Sequence, residues 1–430
     1  MPRTSPPAGR IPAAHVAAVS IGNALEFYDF LTFSLFAVYI GEAFFPGKDP
    51  TEKLLGSLAA FWAGFLTRPV GAMVLGPLGD RIGRKPAMLI SFTMIGLAML
   101  GLALTPTYAQ IGIAAPILAV SFRLIQGFAL GGNVGPTTAY MLEAAPPERR
   151  GYYASFQYAT QGVAVLGSSI AGWLLARTLG PHDLAAWGWR LAFLVGVIIV
   201  PFGLWLRRRL PETLEVAGAA QAPDAPTQTR PSTPIRPHLR VIACGFVLLM
   251  SGTVVTYVTL YMTTFALDTL KLGPSVGFGV GVVSAVAIIV FSLVGGVLSD
   301  KLGRRPVIIV SALAAGAIAW PLFSAIVHTP GWESLFIGMA AIGVFTNIAS
   351  APVIVALTEG LPPAIRSGGV AIVYAFAISV FGGATQFVLA KVIHASGNSM
   401  TPAWVLIGAV LLSVPAAWLM RESAPAKVRA

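Results

Sequence analysis

Long apolar runs recur from one end of the chain to the other. About 20 apolar residues suffice to cross a bilayer as a helix. Twelve runs of about that length or more are read, the first at 14–41 and the last at 402–420. Only 10% of the residues are charged and 56% are hydrophobic, whereas a soluble domain carries roughly 25% charged residues. A soluble fold of this size could not hide that much apolar surface. The sequence therefore predicts an all-α polytopic membrane protein. Its 46 glycines and 32 prolines fit, since both are commoner in membrane helices than in soluble ones. The first twenty residues lack a cleavable-signal pattern, because the start is Pro-rich and the first apolar run carries on past signal length.

One long polar segment interrupts the pattern, rich in Pro, Ala, Thr and charge, between runs six and seven. Such composition reads as a linker. The expected organisation is an N-terminal six-helix bundle over 1–208, a cytoplasmic linker over 209–239 and a C-terminal six-helix bundle over 240–430. Placing both termini inside puts 20 of the 28 Lys and Arg residues on the cytoplasmic side and six on the other. The positive-inside rule then sets the topology. The net charge of +11 follows from these short loops and does not point to nucleic acid. Cys244 is the only cysteine and lies in an apolar run. It allows no internal disulfide and no metal cluster, and reads as core packing.

The two halves repeat one another. "GDRIGRKP" ends the second run and "SDKLGRRP" the eighth, so Asp80 corresponds to Asp300 at an offset of 220. "EAAPPERRG" and "EGLPPAIRSG" follow runs four and ten, pairing Glu143 with Glu359 and Arg150 with Arg366 at an offset of 216. Two independent loop matches at nearly one offset indicate a duplicated six-helix unit. A substrate site is then expected between the halves, near the midplane.

The loop Gly-x-x-x-Asp-Arg-x-Gly-Arg-Lys, from Gly76 to Lys85, resembles the cytoplasmic loop motif of the major facilitator superfamily. The fold this implies is twelve transmembrane helices in two pseudo-symmetric six-helix halves. Physically, Asp80 can accept hydrogen bonds at a nearby helix N-terminus, where negative charge is favoured. Arg81, Arg84 and Lys85 can pair with Glu143 beneath the bundle. The resemblance implies that this loop, with Asp300 and Arg304 in the second copy, latches the outward-facing state; anchoring the topology is the other reading. The stretches "GNALEFYDF", "GFLTRPVGAMVLG", "FRLIQGF" and "AAWGWRLAF" resemble the metabolite–proton symporter branch. Within it, "AIVYAFAISVFGGATQ" and "VALTEGLPPAIRSGG" are most similar to citrate and tricarboxylate symporters. Other members of the branch carry dicarboxylates, aromatic acids or zwitterionic osmolytes.

Four charges fall deep within apolar runs: Glu26, Asp29, Arg68 and Arg123. Such charges are costly and mark function by default. Asn23, Glu26 and Asp29 recur every three residues and share a helix face. The C-terminal half has no counterpart, since the position 216 beyond Arg123 is Met339. Proton coupling is therefore expected in the N-terminal half, at Asp29 and Glu26. The resemblance implies an Asp29–Arg123 pair across spans one and four; a static salt bridge is the alternative. An anion that drew Arg123 away would leave Asp29 free to take a proton.

Arginine suits carboxylates because its planar fork donates two parallel hydrogen bonds. Arg68 has three candidate roles: substrate-carboxylate ligand, structural partner of Glu26 or Asp29, or gate. Neutral polar stripes complete the expected cavity: Tyr153, Gln157 and Gln161 in span five, Thr253, Tyr257 and Tyr261 in span seven, and Asn347 with Ser350 in span ten. Each could bind substrate or bond helix to helix. The branch carries a Glu in the Gly-rich stretch of span four, where this chain has Asn133 followed by Pro136. That loss makes the cavity more positive and is consistent with a more highly charged anion or a changed proton count. The five histidines lie near span ends or in loops and read as solvated surface.

No metal-ligand spacing, nucleotide loop or hydrolytic constellation is found, so no enzyme, cofactor or metal is expected. The function expected is secondary active import of a citrate-like tri- or dicarboxylate by proton symport. The partners are a small organic anion, protons and the lipid bilayer of a bacterial inner membrane, with the protein working as a monomer. A carrier of a zwitterionic osmolyte, aromatic acid or sugar is the alternative; a sugar site would not call for the spare Arg68.

Overall fold

The computed structural model describes residues 13–82, 84–131, 145–202, 205 and 238–428, without the side chains of 13–19, 76, 77, 79, 80, 84, 85, 88, 363–368, 371 and 428. Among the described residues there are helices and no strands. Ten are long and apolar enough to cross a membrane, and a bent pair makes an eleventh. The twelfth run corresponds to Arg84–Leu104, whose apolar stretch is Leu89–Leu104.

We number the spans α1 (Ala13–Leu35, continuing as Ala37–Phe44), α2 (Pro50–Leu66, continuing as Arg68–Ile82), α3 (Arg84–Leu104) and α4 (Ala114–Gly131). Next come α5 (Arg150–Thr178), α6 (within Pro181–Phe202), α7 (Leu239–Thr264) and α8 (Pro274–Leu302). The last four are α9 (Arg304–His328), α10 (Trp332–Ile348, continuing as Ser350–Gly360), α11 (Pro363–Ser396) and α12 (Thr401–Leu419). The expected linker lies outside the described residues except His238 and Leu239, where α7 begins.

Local chemistry sets the breaks. Asp49 caps α2 by accepting from the Glu52 backbone N–H at 2.8 Å, with Pro50 at the first helical position, as helix starts favour. Pro69 then disturbs α2 from within, since it lacks an N–H and restricts the residue before it. The helix is interrupted at Thr67 and restarts at Arg68. The Thr67 hydroxyl uses the break to donate to the Leu124 carbonyl of α4 at 2.8 Å. α1 bends by 67° around Phe36.

α2 and α4 pack backbone to backbone. A Cβ on Gly127 would overlap the Gly64 carbonyl, and one on Gly131 the Arg68 carbonyl. Only glycine allows this approach, and it sets Arg68 and Arg123 side by side. Between the halves, α5 runs along α8 in the most extensive helix pair among the described residues, and α2 lies along α11. The main apolar core draws on both halves, joining Phe30, Phe61 and Phe65 to Tyr257 and Ile288. A second core seals Leu54 and Leu58 of α2 against Tyr261, Met262 and Phe265.

Candidate substrate and proton-coupling site

A cavity lies between the halves. Its N-terminal wall includes Phe27, Leu31, Arg68, Tyr158 and Gln161, and its C-terminal wall includes Thr253, Tyr257, Asn347, Ser350 and Tyr374. Among the described residues, Arg68 is the one charged side chain on this lining. It is buried at 8% exposure, and rings rather than carboxylates surround it. Its guanidinium carbon sits 4.1 Å from the centroid of Phe30 and 4.3 Å from that of Phe65. Such contacts reach about 2 kcal/mol when desolvated. Its Nε and Nη2 have no hydrogen-bond partner, and among the described residues Arg68 forms no ion pair. Among the described residues, no ion pair therefore joins Arg68 to Asp29.

Asp29 and Arg123 lie behind this wall, both with no exposure. The expected direct pair is not formed. Instead Gln126 stands between them: Arg123 Nη1 donates to Gln126 Oε1 at 2.6 Å, and Gln126 Nε2 donates to Asp29 Oδ1 at 2.8 Å. Asp29 Oδ2 and Arg123 Nε and Nη2 have no hydrogen-bond partner. The Arg123 guanidinium carbon lies 4.3 Å from the Phe30 centroid and 4.4 Å from that of Phe33, so both arginines share the Phe30 ring. Arg123 does not reach the cavity lining. Glu26 is buried on the same helix as Asp29.

The polar stripes divide. Gln161, Tyr257 and Asn347 line the cavity. Gln157 is instead bonded to α1, donating to Asn23 Oδ1 at 3.2 Å, while Asn23 donates to Thr160 Oγ1 at 2.7 Å. Tyr261 has no exposure and sits beside Phe265 in the second core. The residue before it, Leu260, lines the cavity, so Tyr261 lies near the cavity's level but on another side of α7. Tyr257 faces the cavity, its ring 5.5 Å from that of Phe65. Asn347 is partly committed, donating to the Gly343 carbonyl at 2.8 Å.

Two polar clusters join the halves at opposite faces. At the face holding the C-terminal segment, Asp300 of α8 accepts from the Gly151 and Tyr152 backbone N–H groups, both at 2.9 Å. A carboxylate there is favoured by the N-terminal dipole of α5. Arg304, fully buried, donates to Asp300 at 2.6 Å and to Glu359 at 3.3 Å, and Arg150 reaches Glu359 at 3.5 Å. The arrangement expected of Asp80 is thus present in its repeat Asp300. Arg81 is exposed in the last turn of α2, the side chains of Asp80 and Arg84 are not described, and Asn133 and Glu143 lie outside the described residues. Gly303, at φ 107°, turns the chain between α8 and α9, and Glu422 covers that turn. Its carboxylate accepts from the backbone N–H groups of Arg304 at 2.8 Å and Arg305 at 3.0 Å. Partial burial pushes the Glu422 carboxyl up, but backbone donors from Ala424, Arg304, Arg305 and Ser423 outweigh it and hold it below its ordinary value.

At the other face, His394 of α11 is exposed, as expected, but it also bonds across the halves. Its Nε2 lies 2.7 Å from Asp268 Oδ2 and its Nδ1 lies 3.2 Å from Thr51 Oγ1. It ties α11 to the ends of α7 and α2, because α11 leans onto the opposite half. Beneath it, Ser34 of α1 and Gln386 of α11 exchange hydrogen bonds of 3.0 and 2.7 Å.

The family description "Major Facilitator Superfamily" matches residues 19–288. The chain belongs to the major facilitator superfamily. It is 34% identical to a citrate–proton symporter of Klebsiella pneumoniae over 96% of its length and 92% of that protein. It is 32% identical to an alpha-ketoglutarate permease of Escherichia coli K12, over 87% of the chain and 85% of that protein. The crystal structure of a D-xylose–proton symporter matches with a TM-score of 0.77 at 18% identity, covering 96% of this chain and 99% of that one. That likeness supports the shared fold. Family and apolar helices together make this a multi-pass membrane protein of a transporter family.

Sequence reasoning missed Gln126, the ring cage, Tyr158 and Tyr374. Gln126 sits in the quoted "FRLIQGF" one helical turn beyond Arg123. That spacing could have placed it on the arginine's face.

Proposed function

We propose that this protein is a secondary active transporter that imports a citrate-like tri- or dicarboxylate together with protons by alternating access. One observation carries the reading: Arg68, the one charged side chain on the inter-half cavity among the described residues, has Nε and Nη2 without hydrogen-bond partners. A guanidinium held on ring faces keeps its N–H groups for an incoming carboxylate, with which it forms strong, bidentate bonds. Tyr257, Asn347 and Gln161 supply neutral groups for the remaining carboxylate and hydroxyl oxygens. The likeness to the citrate and alpha-ketoglutarate carriers supports the same substrate class.

Behind the wall, Asp29 is the proton-carrying group and Arg123 its charge partner. Substrate binding at Arg68 changes the charge felt across Phe30, which both guanidinium groups contact. Protonation of Asp29 is thereby linked to the arrival of an anion. The Asp300–Arg304–Glu359 cluster then serves as the cytoplasmic gate and the Ser34–Gln386 and Thr51–His394 contacts as the external one. We place both termini in the cytoplasm, the protein in a bacterial inner membrane, and its work at the level of the monomer, with no catalysed chemistry.

The test is uptake into proteoliposomes under an imposed pH gradient, with citrate, tricarballylate, a dicarboxylate, betaine and glucose as competitors. Competition by the di- or tricarboxylates alone is expected. Failure of every organic acid to compete removes the reading.

A further inference from the structure

We propose that Gln126 is a positioning residue for proton coupling: it keeps Asp29 and Arg123 from pairing directly and leaves Asp29 Oδ2 as the oxygen that takes the proton. This deepens the carboxylate–proton reading above and rests on it.

Chemistry fixes how the amide is oriented. A guanidinium has donors only and an ionised carboxylate acceptors only. The Gln126 carbonyl must therefore face Arg123 and its NH₂ group Asp29, at 2.6 and 2.8 Å. Gln126 is itself fully buried, so no water competes for these bonds. The amide occupies Oδ1 and leaves Oδ2 without a partner. A proton arriving at Oδ2 needs no bond to be broken first. A direct guanidinium–carboxylate pair would differ in two ways: its fork would engage both oxygens, and full charge attraction in a dry site would hold the carboxylate ionised. The neutral amide relays the arginine's influence in weakened form. The rings of Phe30 and Phe33 hold the Arg123 guanidinium in place, so it does not need Asp29 for its position.

The other titratable and charged groups on the surrounding helices are Glu26 and Tyr28 on α1, Arg68 on α2, Tyr158 on α5, Tyr257 on α7 and Tyr374 on α11. Tyr28 is committed to the Ala192 carbonyl of α6 at 2.9 Å. Among the described residues, none of these groups hydrogen-bonds Asp29. Among the described residues, Gln126 is the one side chain that hydrogen-bonds it.

The experiment uses the full-length protein in proteoliposomes, comparing wild type with Gln126→Leu and Gln126→Asn. Citrate accumulation driven by a pH gradient is measured beside citrate counterflow, which needs no net proton movement, and uptake is profiled against pH. In Gln126→Leu, driven accumulation is expected to fall about tenfold further than counterflow, the size of one lost hydrogen bond to a charged group. Its pH profile should be displaced from that of the wild type. Gln126→Asn keeps the amide and should recover much of both. A Leu variant with the wild-type ratio and pH profile overturns the proposal. So does an equal loss of counterflow and accumulation in both variants, which would mark a packing role. Absence of citrate counterflow in the wild type would instead remove the substrate reading, and with it the proposal that rests on it.

Discussion

The two halves share one backbone plan and face one cavity, yet their chemistry differs. The N-terminal half brings Arg68 to the wall and keeps Asp29, Gln126 and Arg123 behind it. The C-terminal half brings Thr253, Tyr257, Asn347 and Tyr374, all neutral. At the position matching Arg123, Met339 is fully buried in an apolar core. The loop repeat relates the two halves, yet the charges deep within the spans lie in the first of them. The described cluster at the C-terminal face is built mainly from Asp300, Arg304, Glu359 and Glu422 of the second half.

The largest break in this comparison should come from Asp29→Asn. The amide can still accept from Gln126 but cannot carry the proton, so pH-driven accumulation should fall to background. Substrate binding and exchange should survive far better. Accumulation ratios in proteoliposomes check this, and undiminished concentration of citrate by the variant would end the assignment.

Arg68→Gln comes next. Losing charge-assisted bonds worth about 1.5–3 kcal/mol should weaken citrate binding by roughly 10- to 100-fold. Arg68→Lys should rescue only in part, because an ammonium cannot reproduce the fork or stack on Phe30 and Phe65. Tyr257→Phe and Asn347→Ala sharpen the comparison from the other side. Each removes one neutral hydrogen bond, so each should raise KM by only a few-fold, about 1 kcal/mol.

The smallest expected effect lies at the gate. The Glu422 carboxyl is held below its ordinary value. A depressed folded-state value contributes stability that is present above the unfolded value and is lost as pH falls through the folded one. Wild-type thermal stability in detergent should therefore drop as pH passes below the ordinary carboxylate range. Glu422→Gln should lack that part of the drop, and identical pH curves would refute it.

Much of this was legible in the sequence. Twelve spans, the duplication and the four deep charges follow from hydropathy and spacing, which are local signals. Asp300, Arg304 and Glu359 were legible through the repeated loop. The ring cage was not, because phenylalanines in an apolar helix carry no mark of which ones face an arginine. Gln126 was hidden for a related reason: the direct Asp29–Arg123 pair satisfied the charges on paper, and only geometry places an amide between them. Tyr261 and Gln157 were read onto helix faces with cavity residues, yet four-residue steps drift around the helix and turn Tyr261 into the core, and a bond to Asn23 holds Gln157. His394 looked like a span-end residue because its partners, Asp268 and Thr51, are distant in sequence.

The most direct measurement is citrate binding to the purified full-length protein by titration calorimetry, comparing wild type, Arg68→Gln and Asp29→Asn. If Arg68 meets the substrate and Asp29 carries the proton, Arg68→Gln loses most of the affinity and Asp29→Asn keeps most of it. Wild-type affinity in Arg68→Gln, with binding lost only in Asp29→Asn, would contradict that division of labour.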